Sequence, residues 1–466
     1  MKKSILIGCL MGLGALLLPA QESDLEALKR ALQEQQKVIQ SLLQKVETLE
    51  KQQASVTNEQ AELKRLVAAP PPEAGSAPPV KKEWSPSDPI KVFGGQQNYM
   101  NISFDGLFAV GSSTTPNVEA LEFGGHDPKQ RGFTVQNLEM TLDGKVDHYF
   151  RGQANIVLQI DPNGETIIEA EEAYLESLSL PWNLQVKGGQ YFTAFGRLNS
   201  QHPHSWDFID QPLVNGRFLG PDGLRNPGAQ ISWLAPTPFY SELFFSVQNS
   251  QGETAFAYRD AEGTELITQR SAVSTTVNNL GDMLYVPRYV MSFDLSDEQT
   301  VVLGGSAAFG PNASGQHTDT LLYGGDLFYK WKPRNQNKGF PFVTWQTEFM
   351  FSRYEAGAFA GDATTPAAAA ETLRNWGFYS QVSYGFRPGW VGSLRGDYVT
   401  GEPGDFYEDP ITQNRYRISP ALTWFPSEFS KIRLQYNYDH IQGVGPENSV
   451  WLQFEFLLGA HAAHKF

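Results

Sequence analysis

From about residue 93 to the C-terminus, polar and apolar residues alternate in segments of roughly ten residues separated by turn-forming stretches. In one segment Ile432, Leu434, Tyr436 and Tyr438 fall on one face of a strand, with Arg433, Gln435, Asn437 and Asp439 on the other. Leu452, Phe454, Phe456 and Leu458 repeat the pattern against Gln453 and Glu455. An apolar outer face and a charged inner face at this length predict an all-β transmembrane antiparallel barrel of about 16 strands over residues 93–466. Tyr436, Tyr438, Phe454 and Phe456 are expected to face lipid, and Arg433, Gln435, Gln453 and Glu455 a polar lumen. Tight turns at 147–148, 181–183, 236–238, 296–299, 387–389 and 426–427 alternate with longer polar loops, so one rim carries short turns and the other long loops.

The barrel is expected to follow an N-terminal α-helical coiled coil. Residues 1–20 read as an export signal, with Lys2 and Lys3 before the apolar run Ile5–Leu18. Residues 22–68 carry Leu25, Leu28, Leu32, Gln35, Ile39, Leu42, Val46 and Leu49 at three- and four-residue steps, the expected seam of a periplasmic coiled coil with Gln35 as its polar member. A single amphipathic helix lying on a surface is the alternative. Residues 69–92, rich in Pro and Ala, form an extended linker.

Composition narrows the function. A formal net charge of −15 argues against nucleic acid as a partner. Negative mean hydropathy fits a barrel, because only alternate strand residues meet lipid. The single cysteine, Cys9, lies inside the export signal, so the exported chain has neither disulfides nor thiolate metal sites. Glycine-rich phosphate loops, HExxH and GxSxG are absent, which argues against an enzyme and against a cofactor.

Candidate chemistry concentrates in residues 196–227, the third loop of the outer rim. Many barrels narrow their channel with a loop at this place, and Arg197, Asp207, Asp210, Arg217 and Arg225 are the expected constriction residues. Trp206, Phe208 and Phe218 would anchor the loop to the inner wall while the charged groups meet solvent or solute. His202 and His204, beside Asp207 and Asp210, are candidate metal ligands. The same groups equally suit a hydrogen-bonded loop packed inside a wet barrel. His461 and His464 near the C-terminus form a second, weaker pair. The inward positions offer both signs of charge, among them Arg395, Arg415, Arg417, Arg433, Glu139, Glu172, Glu348, Asp397 and Asp439, without a one-sided arginine ladder.

EEAYLESLSLPWNLQVKGGQYFTAFGRLN, from Glu171 to Asn199, resembles the strand–turn–strand segment of the phosphate-selective porin O and P family. VQNLEMTLDGKVDHYFRGQANI resembles that family's preceding hairpin. A coiled coil joined by a linker to such a barrel also resembles the DcaP-like porins, and that resemblance implies a trimer. HPHSWDFIDQP and GAHAAHKF are similar to a subgroup labelled metal-regulated or TonB-dependent receptors. About 375 residues after the linker cannot supply the plug and 22 strands such a receptor needs.

The expected function is that of an outer-membrane porin passing small hydrophilic or charged solutes passively through a water-filled barrel. Its expected partners are outer-membrane lipid, two further copies in a homotrimer, and the cell wall through the coiled coil. The competing classes are an energised metal or chelate receptor and a structural tether between outer membrane and cell wall.

Overall fold

The computed structural model describes residues 89–94, 98–362, 365–401 and 414–459. The expected signal, coiled coil and most of the linker lie outside the described residues, as do His461 and His464.

Strands β1 (Ile90–Gly94), β2 (Tyr99–Ser113), β3 (Gly132–Lys145), β4 (Phe150–Ile160), β5 (Thr166–Ser177) and β6 (Leu184–Phe192) come first. Next are β7 (Arg225–Leu234), β8 (Tyr240–Asn249), β9 (Met283–Ser296), β10 (Gln299–Pro311), β11 (Asp319–Trp331) and β12 (Phe342–Ala356). The chain continues with β13 (Glu371–Arg387), β14 (Trp390–Gly401), β15 (Arg415–Ser427), β16 (Ser430–Ile441) and β17 (Gly445–Leu458). Each strand from β2 onward pairs antiparallel with the next, and β17 returns to β2 with Leu458 opposite Phe104. Sixteen strands therefore close into a barrel, which leaves no sheet edge. The short β1 pairs with residues 99–102 of β2, on the edge that β17 occupies further along.

Side chains follow the strand period. Tyr436, Phe454 and Phe456 point outward and are exposed, whereas Arg433, Gln435 and Gln453 point inward and are buried. Aromatic residues gather outside at both strand ends. Trp233, Trp345 and Trp424 mark the short-turn rim, while Tyr323, Trp376 and Tyr416 mark the long-loop rim. Two such girdles around an apolar belt are the surface that a bilayer covers. An arginine at outward-facing Leu434, midway along β16, should cost about 2–4 kcal/mol. Denaturant unfolding in lipid bilayers tests this, and a cost indistinguishable from zero would place that face in water.

The interior is not polar all round, contrary to the expectation for the lumen. Leu284 and Val286 of β9, Leu322 of β11, Met350 of β12, Tyr379 of β13 and Val399 of β14 form a buried apolar cluster. Leu213, Val214, Phe218 and Leu219 of the helix Leu213–Leu219, which the loop between β6 and β7 sends into the barrel, cover it. Each such side chain contributes about 1.5–3 kcal/mol by leaving water. That stretch of wall is apolar because it meets protein.

Candidate functional site

The connection 193–224 folds inward and is fixed at its entry by Glu348 of β12. Glu348 Oε2 accepts the Arg197 amide at 2.9 Å, and Oε1 accepts the Leu198 amide at 2.8 Å and the Tyr379 hydroxyl at 2.5 Å. Gly196 permits this approach. It has φ +62, and a Cβ there would sit 2.1 Å from Glu348 Oε2. Further along, Gln435 accepts the Ile209 amide at 2.8 Å and Asp397 the Leu213 amide at 3.1 Å. Wall side chains thus satisfy backbone donors that a buried loop would otherwise strand.

Asp210 is the centre of the second attachment. Its Oδ1 accepts from Arg395 and Gln435, both at 2.7 Å, and its Oδ2 from Arg417 at 2.5 Å and Asn437 at 2.6 Å. Arg417 also binds Glu122 at 2.7 Å and Asp439 at 2.9 Å, and Arg415 binds Asp439 at 2.6 Å. While Arg151, Arg225 and Arg288 stand apart on β4, β7 and β9, Arg395, Arg415, Arg417 and Arg433 stand on the neighbouring strands β14, β15 and β16 and form one basic wall. Lys431 and Arg433 complete it, donating to the loop carbonyls of His204 and Trp206. Burial alone would raise the Asp210 carboxyl, but Arg395 and Arg417 outweigh it and hold it down to about 2. For Glu122, on the loop between β2 and β3, burial together with Asp210, Asp127 and Asp439 outweighs Arg417 and pushes the carboxyl up to about 8.

These shifts set a pH dependence. The Asp210 contribution is full above its ordinary value of about 4 and fades as pH falls toward 2. The Glu122 contribution is full below about 4 and is lost as pH rises through 8. Protection of the two loops from proteolysis should therefore peak near about pH 4–5. Protection that climbed steadily from pH 4 to 9 would contradict this assignment.

The histidine end of the loop meets a different wall. His202 Nδ1 lies 2.8 Å from Glu171 and 3.3 Å from Glu139, with Nε2 3.1 Å from Glu172. His204 Nδ1 lies 2.8 Å from Asp105 and 3.5 Å from Glu139. Burial would lower both imidazoles, but Asp105 raises His204 to about 9, and Glu139 with Glu171 raises His202 well above its ordinary value. Glu171 and Glu172 are adjacent, and simple alternation would turn one of them to lipid. A bulge puts both inside: Asn155 of β4 faces Glu172 while Ile156 faces Ala170, which leaves Glu171 as the extra residue. A second bulge in β3 does the same for Gln136, which donates to the carbonyls of His126 at 2.7 Å and Ile209 at 3.1 Å.

Complementary charge explains the path of HPHSWDFID. Its imidazoles settle on the acidic wall of β2, β3 and β5, and Asp210 on the basic wall of β14–β16. Trp206, Phe208 and Phe218 are buried. Asp210, Arg217 and Arg225 are also buried, contrary to the expectation that they meet solvent. Arg225 is the first residue of β7 and pairs with Glu169 at 2.5 Å, so the loop is shorter than 196–227 at its C-terminal end. Arg197 and Asp207 are half-buried. Arg197 stacks 3.9 Å above the Phe328 ring and overlooks a cavity of about 190 Å³ beneath the loop, lined also by Arg151, Glu176, Lys187, Glu242 and Arg288. Arg151, Glu176, Lys187 and Glu242 lie toward the short-turn ends of their strands, and Arg288 lies near the middle of β9.

Asp105 and Glu171 carried no distinguishing mark in the sequence. Asp105 is a charge at an inward position, which many others share, and Glu171 lacks even that signal because the bulge breaks the alternation, so only strand neighbourhood selects them.

No family model matches the chain. Among solved structures it is similar to the outer membrane channel DcaP of Acinetobacter baumannii, with 12% identity and a TM-score of 0.48 over 78% of this chain and 98% of that one. It is also similar to OmpT, an outer membrane protein of Vibrio cholerae, with 6% identity and a TM-score of 0.46 over 78% of this chain and 98% of that one. At such identities and scores the likeness adds nothing to what strand pairing already defines. An "Uncharacterized protein" of Aquifex aeolicus (strain VF5) is 32% identical over 369 residues, which span 74% of this chain and 73% of that protein. The chain belongs to the same family as that Aquifex aeolicus protein.

Proposed function

We propose that this chain is an outer-membrane porin that lets small hydrophilic solutes diffuse passively, with the loop 193–224 as its constriction. The observation that carries the reading is a closed barrel holding that loop inside, above a polar cavity open to charges of both signs. A barrel of sixteen strands is wide enough for an aqueous channel, and selectivity then requires something to narrow it. Outer-membrane lipid covers the apolar belt, and three copies assemble through their outer walls. Phosphate selectivity is not part of the proposal, because the Arg395–Arg417 wall is neutralised by Asp210, Asp397 and Asp439.

Planar-bilayer recording of the purified protein tests the reading. Stable ohmic channels are expected. A barrel that stays closed would move the assignment to a structural tether or an energised receptor. Arg197 and Asp207 are the constriction charges nearest to solvent. Arg197→Ala should shift the reversal potential toward cations and Asp207→Asn toward anions, and unchanged potentials in both variants would remove them from the solute path.

A further inference from the structure

The contact between the loop's histidines and the acidic wall contains more than an anchor needs. Two sets of three donors converge there: Asp105, Glu139 and His204, and Glu139, Glu171 and His202. Within each set the donor atoms lie within 4.8 Å of one another, and all five residues are buried. Glu139 belongs to both sets. Its Oε1 accepts from Thr141 at 3.1 Å and from Asn155, which aims Oε2 between the two imidazoles. Glu139 Oε2 and both oxygens of Glu171 meet only imidazole nitrogens, those of His202 and His204 at Glu139 and those of His202 and, at 3.3 Å, His126 at Glu171, although each side chain is at most 1% exposed. Protonated imidazoles meet these buried oxygens in the absence of an ion, and a divalent cation bound between ring nitrogen and carboxylate would meet them in its presence.

The geometry suits one. A zinc ion about 2.1 Å from each donor needs donors about 3–4 Å apart. The contacts of 2.8 Å from His202 to Glu171, 2.8 Å from His204 to Asp105, and 3.3 and 3.5 Å from the two imidazoles to Glu139 lie close to that range. The second nitrogen of His202 is 3.1 Å from Glu172, the outer carboxylate contact that orients a metal-bound imidazole.

We propose that Asp105, Glu139, Glu171, His202 and His204 form a pair of divalent-cation sites, bridged by Glu139, that fasten the loop 193–224 to β2, β3 and β5. One imidazole and two carboxylates per ion suit zinc or manganese rather than a thiolate-seeking metal. The sites hold whether or not the barrel conducts.

Full-length protein in detergent, stripped with a chelator and titrated with zinc alone, should retain two ions per chain after dialysis by elemental analysis. Glu139→Gln should remove both and His204→Gln one, while His461→Ala combined with His464→Ala should leave both in place. X-ray absorption of the zinc-loaded wild type should show about one imidazole per ion. The proposal is overturned if the stripped wild type binds no zinc, if the terminal histidine variant loses it, or if absorption shows two or more imidazoles per ion. Should Glu139→Gln fail to fold, His204→Gln and the absorption spectrum decide the matter.

Discussion

Asp210→Ala is expected to free the middle of the loop 193–224 and to raise the conductance of the barrel. Asp210 has both oxygens filled by Arg395, Arg417, Gln435 and Asn437, and no solvent reaches it. Breaking a buried ion pair by removing one partner costs about 3–5 kcal/mol, because the other charge stays buried. Here Arg395 keeps Asp397 at 2.8 Å, and Arg417 keeps Asp439 and Glu122. The lower figure of about 3 kcal/mol therefore applies. It corresponds to about 100-fold faster amide exchange across the loop. Asp210→Asn keeps an acceptor and should fall between the two. Neutralising Asp207 with Asp210 shifts selectivity through Asp207, whereas Asp210 acts by releasing the loop. Unchanged exchange in Asp210→Ala would mean that the apolar helix alone holds the loop.

The second large effect is expected at the loop's entry. Glu348→Ala leaves the Arg197 and Leu198 amides and the Tyr379 hydroxyl without their acceptor. Each buried unsatisfied group costs about 1–3 kcal/mol, so a total of about 3 kcal/mol or more is expected. The segment around Arg197 should then open and trypsin should cut there, whereas the wild type, with Glu348 holding the backbone, should resist. Glu348→Gln retains one carbonyl oxygen and should be cut more slowly. Equal resistance of wild type, Gln and Ala variants would sink this account of the entry.

What the sequence could supply was local. Alternation from Ile432 to Tyr438 and from Leu452 to Leu458 marked strands and named their outer faces, because a strand's two faces follow from a period of two residues. Short turns against long loops oriented the barrel, and the length and charge of 196–227 singled out the loop that turns inward. Its aromatic anchors Trp206, Phe208 and Phe218 were legible for the same reason.

Strand neighbourhood was not legible. Arg395, Arg417 and Arg433 are spread over nearly forty positions of sequence, yet antiparallel pairing puts them on three adjacent strands, and Asp210 meets them only through a fold that closes β17 onto β2. Glu171 and Gln136 break the alternation, since a bulge is a property of two paired strands and leaves no fixed mark in either one. The inward Leu284, Leu322, Met350 and Val399 likewise contradicted a polar lumen until a helix from another part of the chain covered them. Period and charge were written in the chain, whereas the partner of each inward group was decided by which strands became neighbours when the barrel closed.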